Sequence, residues 1–195
     1  MQNTTKEAPR NHLTKHELCM QMQEALKPFL YVKKVQKKET LLMEGNVCKT
    51  IYFVRKGAVK QYYLSDGKEF IQNFFFEGNM ACLFDSFLTQ TESNSYLEAL
   101  EGSELWVLSY HNFKKIREAS PEFNLQLTLC MSKMNTHRIN LLLLSDAMLR
   151  YQRFLKEEPG IQNRVPQYMI ASYLGMTPET LSRIRKKLFI SPSAA

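Results

Sequence analysis

The sequence has no long hydrophobic run and no clustered cysteines, and each absence excludes a class of protein. None of its apolar stretches approaches the roughly 18–20 residues that cross a bilayer, and residues 1–10 lack the apolar segment of a secretory signal. The cysteines are too dispersed for a zinc site or a disulfide scaffold, since they stand at Cys19, Cys48, Cys82 and Cys130. We therefore expect a cytoplasmic protein with buried, reduced thiols and no membrane association.

Catalytic and metal-binding patterns are also missing. Residues 29–108 contain no histidine, so the β-rich part of the chain lacks the His-x-His ligand set of a cupin-type enzyme. There is no glycine-rich phosphate loop and no Ser-His-Asp arrangement. Cys19 stands alone near the N-terminus, which leaves no four-thiolate set for an iron–sulfur cluster. The sequence thus indicates no catalytic residue, no metal site and no cofactor.

Positive charge is scarce in one segment and concentrated in another. The chain carries a net charge of +7, and residues 150–195 hold eight Lys or Arg against three acidic residues, a net +5. Residues 79–110 contain five acidic residues and no Lys or Arg. We infer that the C-terminal segment contacts an anion such as DNA and that the acidic segment does not.

Short β-rich runs separated by turn signals fill the first half of the chain. Ser65-Asp66-Gly67 between two such runs is a strong hairpin signal. Helical patterns flank the runs at residues 14–27 and 110–119. Together these patterns predict an α+β protein with an antiparallel β-sandwich or roll. The predicted strands are residues 29–36, 50–55, 58–64, 68–76, 95–100 and 104–108.

A long helix is predicted to begin at Ser120-Pro121-Glu122, which combines a cap residue, a proline at the first helical position and an early acid. A first apolar stripe follows with alternating spacings of four and three, the seam of a coiled coil. We interpret this stripe as a homodimer interface, with a helix buried wholly in one monomer as the alternative. The stripe is Phe123, Leu127, Cys130, Met134, His137, Leu141, Leu144 and Met148. A second stripe, expected to face the chain's own β-domain, is Leu125, Leu129, Ile139 and Leu143.

Residues 165–188 are typical of two short helices joined by a tight turn. Pro166 suits a helix start, and Gly175 can adopt the positive φ that a turn between crossed helices requires. Thr177 and Pro178 supply the cap and the first position of a second helix. Its buried stripe would be Leu181, Ile184 and Leu188. The pattern predicts a helix-turn-helix whose second helix enters the DNA major groove.

Exposed positions of the second helix carry side chains suited to DNA. Arg183 can present a bidentate fork to guanine, and Glu179 can accept a hydrogen bond from cytosine. Thr177 and Thr180 can donate to phosphates, and the basic residues after Arg183 would neutralise the DNA backbone. The predicted contacts are Gln167, Thr177, Pro178, Glu179, Thr180, Ser182, Arg183, Arg185, Lys186 and Lys187.

Several motifs resemble those of the cyclic-AMP receptor protein and fumarate–nitrate regulator (CRP/FNR) family of transcription regulators. PETLSRI at residues 178–184 resembles the family's recognition helix, and TLLMEG at residues 40–45, IYFV at 51–54, Gly57-Ala58-Val59 and Gly78-Asn79 resemble its β-roll motifs. The resemblance covers about residues 29–188. It implies a cyclic-nucleotide-binding-like jelly roll, a long dimerisation helix and a winged helix-turn-helix, with the wing curtailed because few residues follow Leu188.

The same resemblance implies roles for single residues. It assigns base reading to Glu179 and Arg183 and phosphate contacts to Thr177 and Thr180. Pro178 stands where the family often has an arginine before the glutamate, which implies an operator that differs from the family's usual one. One guanine contact in each half-site would be missing, a loss of about 1–3 kcal/mol of discrimination.

The resemblance also implies an effector pocket in the β-roll, where the sequence departs from the family's cyclic-nucleotide-binding members. Met80-Ala81-Cys82 replaces the expected Gly-Glu pair, and Asn94 or a neighbour replaces the phosphate-binding arginine. Because a buried phosphate without a cationic partner is costly, we expect an uncharged or apolar effector, or none. The predicted pocket residues are Gly78, Asn79, Cys82, Leu83, Asn94 and Ser95.

These expectations divide the chain into a β-roll domain at residues 14–119, a dimerisation helix at 120–149 and a helix-turn-helix domain at 150–195. The predicted function is a homodimeric, sequence-specific transcription regulator that binds a palindromic operator in double-stranded DNA. A small-molecule effector of unknown identity would be a further partner, as would RNA polymerase if the protein activates transcription. The alternative is a cyclic-AMP-responsive activator.

Overall fold

The computed structural model describes residues 15–190, so residue 14 and residues 191–195 of the predicted domains lie outside the described part. The helices are α1 (Lys15–Leu26), α2 (Phe84–Thr89), α3 (Tyr110–Ala119), α4 (Pro121–Leu142), α5 (Ala147–Glu157), α6 (Gln167–Tyr173) and α7 (Pro178–Ile190). The strands are β1 (Tyr31–Val35), β2 (Thr40–Leu42), β3 (Thr50–Lys56), β4 (Val59–Ser65), β5 (Lys68–Phe75), β6 (Met80–Ala81), β7 (Tyr96–Ala99) and β8 (Ser103–Ser109).

The strands form two antiparallel sheets, one in the order β1-β8-β3-β6 and the other in the order β2-β7-β4-β5. Phe53, Leu97 and Leu105 are fully buried between the sheets in one apolar cluster. The predicted α+β class and antiparallel β-roll are confirmed. Both ends of each predicted strand lie within two residues of the ends of an observed strand. The predicted strands omit the short strands β2 and β6.

The β4–β5 hairpin shows how local turn chemistry fixes a strand register. Asp66 and Gly67 both have positive φ, 50° and 72°, as a two-residue turn that follows the twist of its strands requires. Ser65 then pairs with Lys68 directly across the turn. The hairpin signal in the sequence is therefore confirmed.

Helix α4 is apolar on two opposite faces, and the structure assigns them in the reverse of the predicted order. Phe123, Leu127 and Cys130 are buried in the core of the β-roll, and Leu141 is buried in a second apolar cluster. The second stripe is the exposed one: Leu125, Leu129, Ile139 and Leu143 are 60%, 43%, 56% and 75% exposed. The predicted seam is thus covered by the chain itself, because α1 and the β-roll pack on that side.

The predicted helix 120–149 is interrupted, so its seam is not continuous. Helix α4 ends at Leu142, and the Asp146 carboxylate caps the next helix by accepting a hydrogen bond from the Met148 N–H at 2.7 Å. Leu144 therefore lies in the connection, where its carbonyl accepts from Arg150 at 2.6 Å. Met148 lies in α5 and packs against the second apolar cluster. An aspartate with a strong cap preference ends the helical run although the heptad spacing continues.

The C-terminal helices pack directly on the β-roll. Phe74 and Phe76 of the β-roll share the second apolar cluster with Tyr173 and Leu174, and the Phe74 and Tyr173 rings lie 5.2 Å apart. The Ile71 N–H of β5 donates to the Ser172 hydroxyl at 2.9 Å. Helices α5, α6 and α7 are thereby held at a fixed position on the sheet that contains β4 and β5.

A bidentate ion pair reinforces that position. Arg164 donates to both carboxylate oxygens of Glu77, at 2.9 and 3.0 Å, and also contacts Glu101. Burial alone would raise the pKa of Glu77, but hydrogen bonds from Arg164 and from backbone N–H groups lower it.

Between Ala147 and Ile190 the described residues contain no β-strand, so they include no wing. No described helix has both the length and the apolar character needed to cross a membrane.

Candidate DNA interface and effector pocket

Helices α6 and α7 are joined by a tight turn that the sequence specifies residue by residue. Gly175 has a φ of 62°, and its N–H donates to the Ser172 carbonyl while the Met176 N–H donates to the Ala171 carbonyl. These bonds close the end of α6 as a glycine C-cap does. The Thr177 hydroxyl then accepts from the Thr180 N–H at 3.2 Å, which caps the start of α7.

Helix α7 has one buried stripe and one exposed polar face. Leu181 and Ile184 are buried against the neighbouring helices. Most of the predicted DNA contacts point to solvent, namely Thr177, Pro178, Glu179, Ser182, Arg183, Lys186 and Lys187, and Thr180 is half-buried. The first turns of α7 are therefore free to meet a groove edge, with basic side chains one to two turns further along.

Hydrogen bonds already order the candidate base-reading side chains. Arg183 donates to the Thr180 hydroxyl at 3.3 Å. Hydrogen bonds from its own N–H and from the Thr177 hydroxyl lower the pKa of Glu179, so this carboxylate is ionised at neutral pH. Glu179 and Arg183 lie one turn apart on the same face, which offers an acceptor and a bidentate donor side by side.

Two of the predicted DNA contacts lie differently. Arg185 is half-buried and forms a hydrogen bond with Tyr151 of α5, so it serves the packing of α7 rather than an exposed phosphate contact. Gln167 is half-buried at the first position of α6. Arg185 directly follows the buried Ile184, so its side chain lies about 100° around the helix axis from that of Ile184. Arg185 therefore lies at the edge of the buried stripe.

A cavity of about 500 Å³ lies between the β-roll, α2 and α4. It includes the predicted pocket residues Cys82, Leu83 and Asn94, and the hydroxyl of the predicted residue Ser95 donates to Asn94. Its other lining residues are Gln61, Asn73, Phe75, Phe84, Asp85, Ser86, Leu88, Thr89, Glu92, Ser93, Met131, Met134 and Asn135. Met134, a predicted seam residue, thus faces the cavity.

Amide groups supply much of the polar surface beside this cavity. Gln61 donates to Gln72 at 2.8 Å, and Asn73 donates to Gln61 at 3.2 Å. The Ser95 hydroxyl donates to the same Gln72 oxygen at 2.9 Å. Gln61, Gln72 and Asn73 were absent from the predicted pocket. Their only signal in the sequence is a polar side chain within otherwise aromatic strand segments.

Comparisons with known proteins agree with this architecture. Residues 32–120 match the cyclic nucleotide-binding domain family. The chain is 23% identical over 172 residues to the cAMP-activated global transcriptional regulator CRP of Escherichia coli O157:H7, covering 81% of this chain and 82% of that protein. It is 28% identical over 167 residues to the fumarate and nitrate reduction regulatory protein of Vibrio cholerae, covering 78% and 66%.

Solved structures show the same fold. FixK2 from Bradyrhizobium japonicum superposes with a TM-score of 0.69 at 22% identity, covering 85% of this chain and 89% of that one. Over about four-fifths of its length the chain is similar to transcription regulators of the CRP/FNR family. The resemblance carried by the sequence motifs is confirmed, because both of these aligned relatives are regulators of the CRP/FNR kind.

The cavity between the β-roll, α2 and α4 carries no cationic side chain among its described lining residues. Asp85 and Glu92 place two carboxylates in its wall instead. A phosphate group entering it would lose its hydration without gaining a charge partner. The cavity chemistry therefore suits an uncharged or cationic ligand with hydrogen-bonding groups better than an anion.

Gly78 and Asn79 do not belong to this cavity, which corrects part of the predicted pocket. Gly78 has a φ of 75°, and a Cβ atom there would lie 2.1 Å from the imidazole of His16. Asn79 instead lines a separate cavity of about 560 Å³, which also contains His16, His137 and Glu157. The β5–β6 turn directs both residues towards α1 and the C-terminal helices, away from α2.

The remaining predicted seam residue, His137, lies at the junction of α4 with the C-terminal helices. Its Nε2 atom lies 3.3 Å from a carboxylate oxygen of Glu157, which also accepts from Arg153 at 2.9 Å. The next residue, Arg138, stacks over the Tyr173 ring at 4.0 Å. This end of α4 therefore makes polar contacts within its own chain.

Proposed function

We propose that the protein is a homodimeric, sequence-specific DNA-binding transcription regulator whose β-roll cavity does not take a cyclic nucleotide. The observation that carries the proposal is the exposed face of α7, where Glu179 and Arg183 follow Thr177, the residue that caps the helix. Two such helices would enter successive major grooves about 34 Å apart on a palindromic operator. Its place of action is then the cytoplasm, where bacterial DNA is found.

The exposed face of α4 supports a dimer through residues other than the predicted seam. This face has its own spacing of four and three, with Ser132 and Thr136 between the apolar ends. Its members are Leu125, Leu129, Ser132, Thr136, Ile139 and Leu143, all exposed. Such a stripe on a 22-residue helix fits a second copy of the same helix, with small polar side chains allowing close approach at the centre.

Control of DNA binding would act through the cavity beside α4. Met131 and Met134 of α4 line it opposite the amide groups of the β-roll. A ligand that contacts both sides would change how the β-roll holds α4, and thereby the relative orientation of two α7 helices in a dimer. We propose an uncharged, hydrogen-bonding ligand for this site. The simpler alternative is that the protein binds DNA without any ligand.

Selection of DNA sites from a random pool by the purified protein, without added ligand, tests the proposal directly. We expect a palindrome whose half-sites are one helical turn apart, because each α7 of a dimer reads one half-site. Half-sites that occur singly would contradict the dimer. If nothing is enriched, the selection is repeated in cell extract, and enrichment only there would establish an obligatory effector.

Two variants of α7 separate base reading from backbone contact. Arg183→Ala should lose preference for the selected site over scrambled DNA, by about 1–3 kcal/mol, because a bidentate base contact is removed. Lys186→Ala should weaken binding to both DNAs alike and reduce the salt dependence by about one phosphate contact. An equal loss on both DNAs for Arg183→Ala would contradict its assignment to a base.

A cyclic-nucleotide sensor is the second candidate, favoured by the match of residues 32–120 to the cyclic nucleotide-binding domain. Isothermal calorimetry with cyclic AMP and cyclic GMP distinguishes the two candidates. We expect no heat of binding at micromolar protein, because Asp85 and Glu92 are the charged residues of the described cavity wall. Micromolar affinity would establish the sensor and contradict the proposed ligand class.

A further inference from the structure

We propose that Cys19 and Cys130 form a reversible disulfide that joins α1 to α4. Their Sγ atoms lie 2.9 Å apart although the residues are 111 positions apart in sequence. A disulfide has an S–S distance of about 2.05 Å, so the bond requires an approach of less than one ångström. Both side chains are almost completely buried, at 1% and 0% exposure. The site is therefore a preformed sulfur pair between two helices.

The surroundings of this pair permit the small approach that the bond needs. Cys19 and Cys130 lie in the apolar core cluster together with Met22 and Leu127, on the face of α4 that α1 covers. Contacts between helices are made by side chains, and methionine adapts its shape easily. A shift of a few tenths of an ångström by each helix is therefore enough to bring the sulfurs together.

The chain contains an internal comparison in Cys48 and Cys82. Their Sγ atoms lie 3.9 Å apart, one ångström further than those of Cys19 and Cys130. Their backbones are also less free to move, since the Cys48 N–H donates to the Ser86 hydroxyl at 2.9 Å and Cys82 directly follows strand β6. We therefore expect the Cys19–Cys130 disulfide to be the more stable of the two.

The reaction is thiol–disulfide exchange with a small disulfide such as oxidised glutathione. One cysteine thiolate attacks the small disulfide and forms a mixed disulfide, releasing one glutathione thiolate. The second cysteine, as its thiolate, then attacks the protein sulfur of that mixed disulfide and displaces the other glutathione. Two protein thiols are oxidised and one glutathione disulfide is reduced to two thiols. Local opening of α1 admits the oxidant to the buried pair.

The bond would change how firmly α1 is held on α4. It closes a loop of 111 residues, for which chain-entropy arguments predict a large stabilisation. We expect the melting temperature of the oxidised protein to rise by about 5–15 °C. We also expect slower amide hydrogen exchange in α1, because its local opening is then restricted.

The decisive experiment equilibrates the full-length protein in buffers of defined reduced and oxidised glutathione. After acid quench and denaturation, remaining thiols are alkylated and peptides are mapped by mass spectrometry. At every ratio of reduced to oxidised glutathione, we expect a larger fraction of the protein to carry the Cys19–Cys130 disulfide than a Cys48–Cys82 disulfide. Equilibrium is measured rather than rate because thiols differ in reactivity, and a hydrogen bond from Cys82 lowers the pKa of Cys48 in the folded protein to about 7.

Variants make the assignment specific. Cys19→Ser should abolish both the cross-linked peptide and the rise in melting temperature, whereas Cys48→Ser should keep both. Full alkylation of Cys19 and Cys130 at the most oxidising poise would overturn the proposal, as would a Cys48–Cys82 disulfide that forms at a less oxidising poise. The peptide map of the wild-type protein decides the outcome even if Cys19→Ser does not fold. No DNA is present, so this result is independent of the proposed function.

Discussion

The two apolar faces of α4 carry the same spacing but have opposite surroundings. One face, including Phe123 and Leu127, is buried by the β-roll and α1. The other, including Leu125 and Leu129, is exposed to solvent. A helix with two apolar faces needs two partners, and the described part of the chain supplies only one of them. The comparison teaches that heptad spacing identifies a packing face without identifying what packs on it.

The largest expected effect contrasts two leucines that stand two residues apart on this helix. Leu127→Ala should lower the free energy of unfolding by about 2–5 kcal/mol, because it leaves a cavity in the core. Leu125→Ala should change it by less than about 0.5 kcal/mol in dilute protein. Urea unfolding of both variants measures the difference. Similar losses for both would break the distinction between the faces.

A charge on the exposed face should dissociate the proposed dimer. Leu129→Glu places two carboxylates near the symmetry axis, and we expect the dimer dissociation constant to rise about 10–100-fold, or roughly 1.4–2.8 kcal/mol. Gln126→Glu adds the same charge about 100° around the helix from the centre of the exposed stripe and should leave the dimer unchanged. Sedimentation velocity over a range of concentrations gives both constants. An unchanged dimer in Leu129→Glu would place the interface elsewhere.

Removing the cap that separates α4 from α5 should have a smaller effect on stability, and it tests where the buried face of α4 ends. Asp146→Ala removes the cap of α5 and should cost about 1 kcal/mol of stability, since the Met148 N–H loses its acceptor. Asp146→Asn should lose only a few tenths of that, because asparagine caps almost as well. Thermal unfolding of the two variants measures the cost. Equal stability of Asp146→Ala and wild type would indicate that α4 and α5 are not separated by this cap.

The polar contact between the β-roll and the C-terminal helices should have the smallest effect. Glu77 has a lowered pKa when folded, so its pairing with Arg164 stabilises the protein above the unfolded pKa and is lost as pH falls through the folded value. Because the pair is largely exposed, we expect less than about 1 kcal/mol. Glu77→Gln should be less stable than wild type at pH 6, and the two should converge towards pH 3 in urea unfolding. A difference independent of pH would exclude the ion pair as its cause.

Local signals in the sequence were sufficient for much of the fold. Short β-rich runs and turn residues predicted six strands, and Gly175 and Thr177 predicted the turn and cap of the helix-turn-helix. These features depend on residues close in sequence, because the conformational preferences of turn and cap residues act directly on the neighbouring backbone. The same holds for Ser120, whose hydroxyl accepts from the Phe123 N–H at the start of α4.

Features that depend on distant segments were predicted poorly. The faces of α4 were interchanged because both stripes fit a heptad, and only the position of α1 and the β-roll distinguishes them. Residues 146–157 form a helical stretch in the sequence pattern as well, but the continuing spacing extended the predicted dimerisation helix to residue 149, three residues past the Asp146 cap. Gln61 and Asn73 reach the cavity from β4 and β5, whereas the prediction placed the pocket in one acidic segment.

The apolar cluster shared by the β-roll and the C-terminal helices has a consequence for cooperativity. Tyr62, Ile71 and Phe74 of the β-roll and Phe154 and Tyr173 of the C-terminal helices bury one another. The two parts of the monomer should therefore unfold together, giving one calorimetric transition. A fragment containing only α5, α6 and α7 would expose this aromatic surface to water and aggregate. We therefore expect the proposed DNA-reading helix to be stable only together with the β-roll.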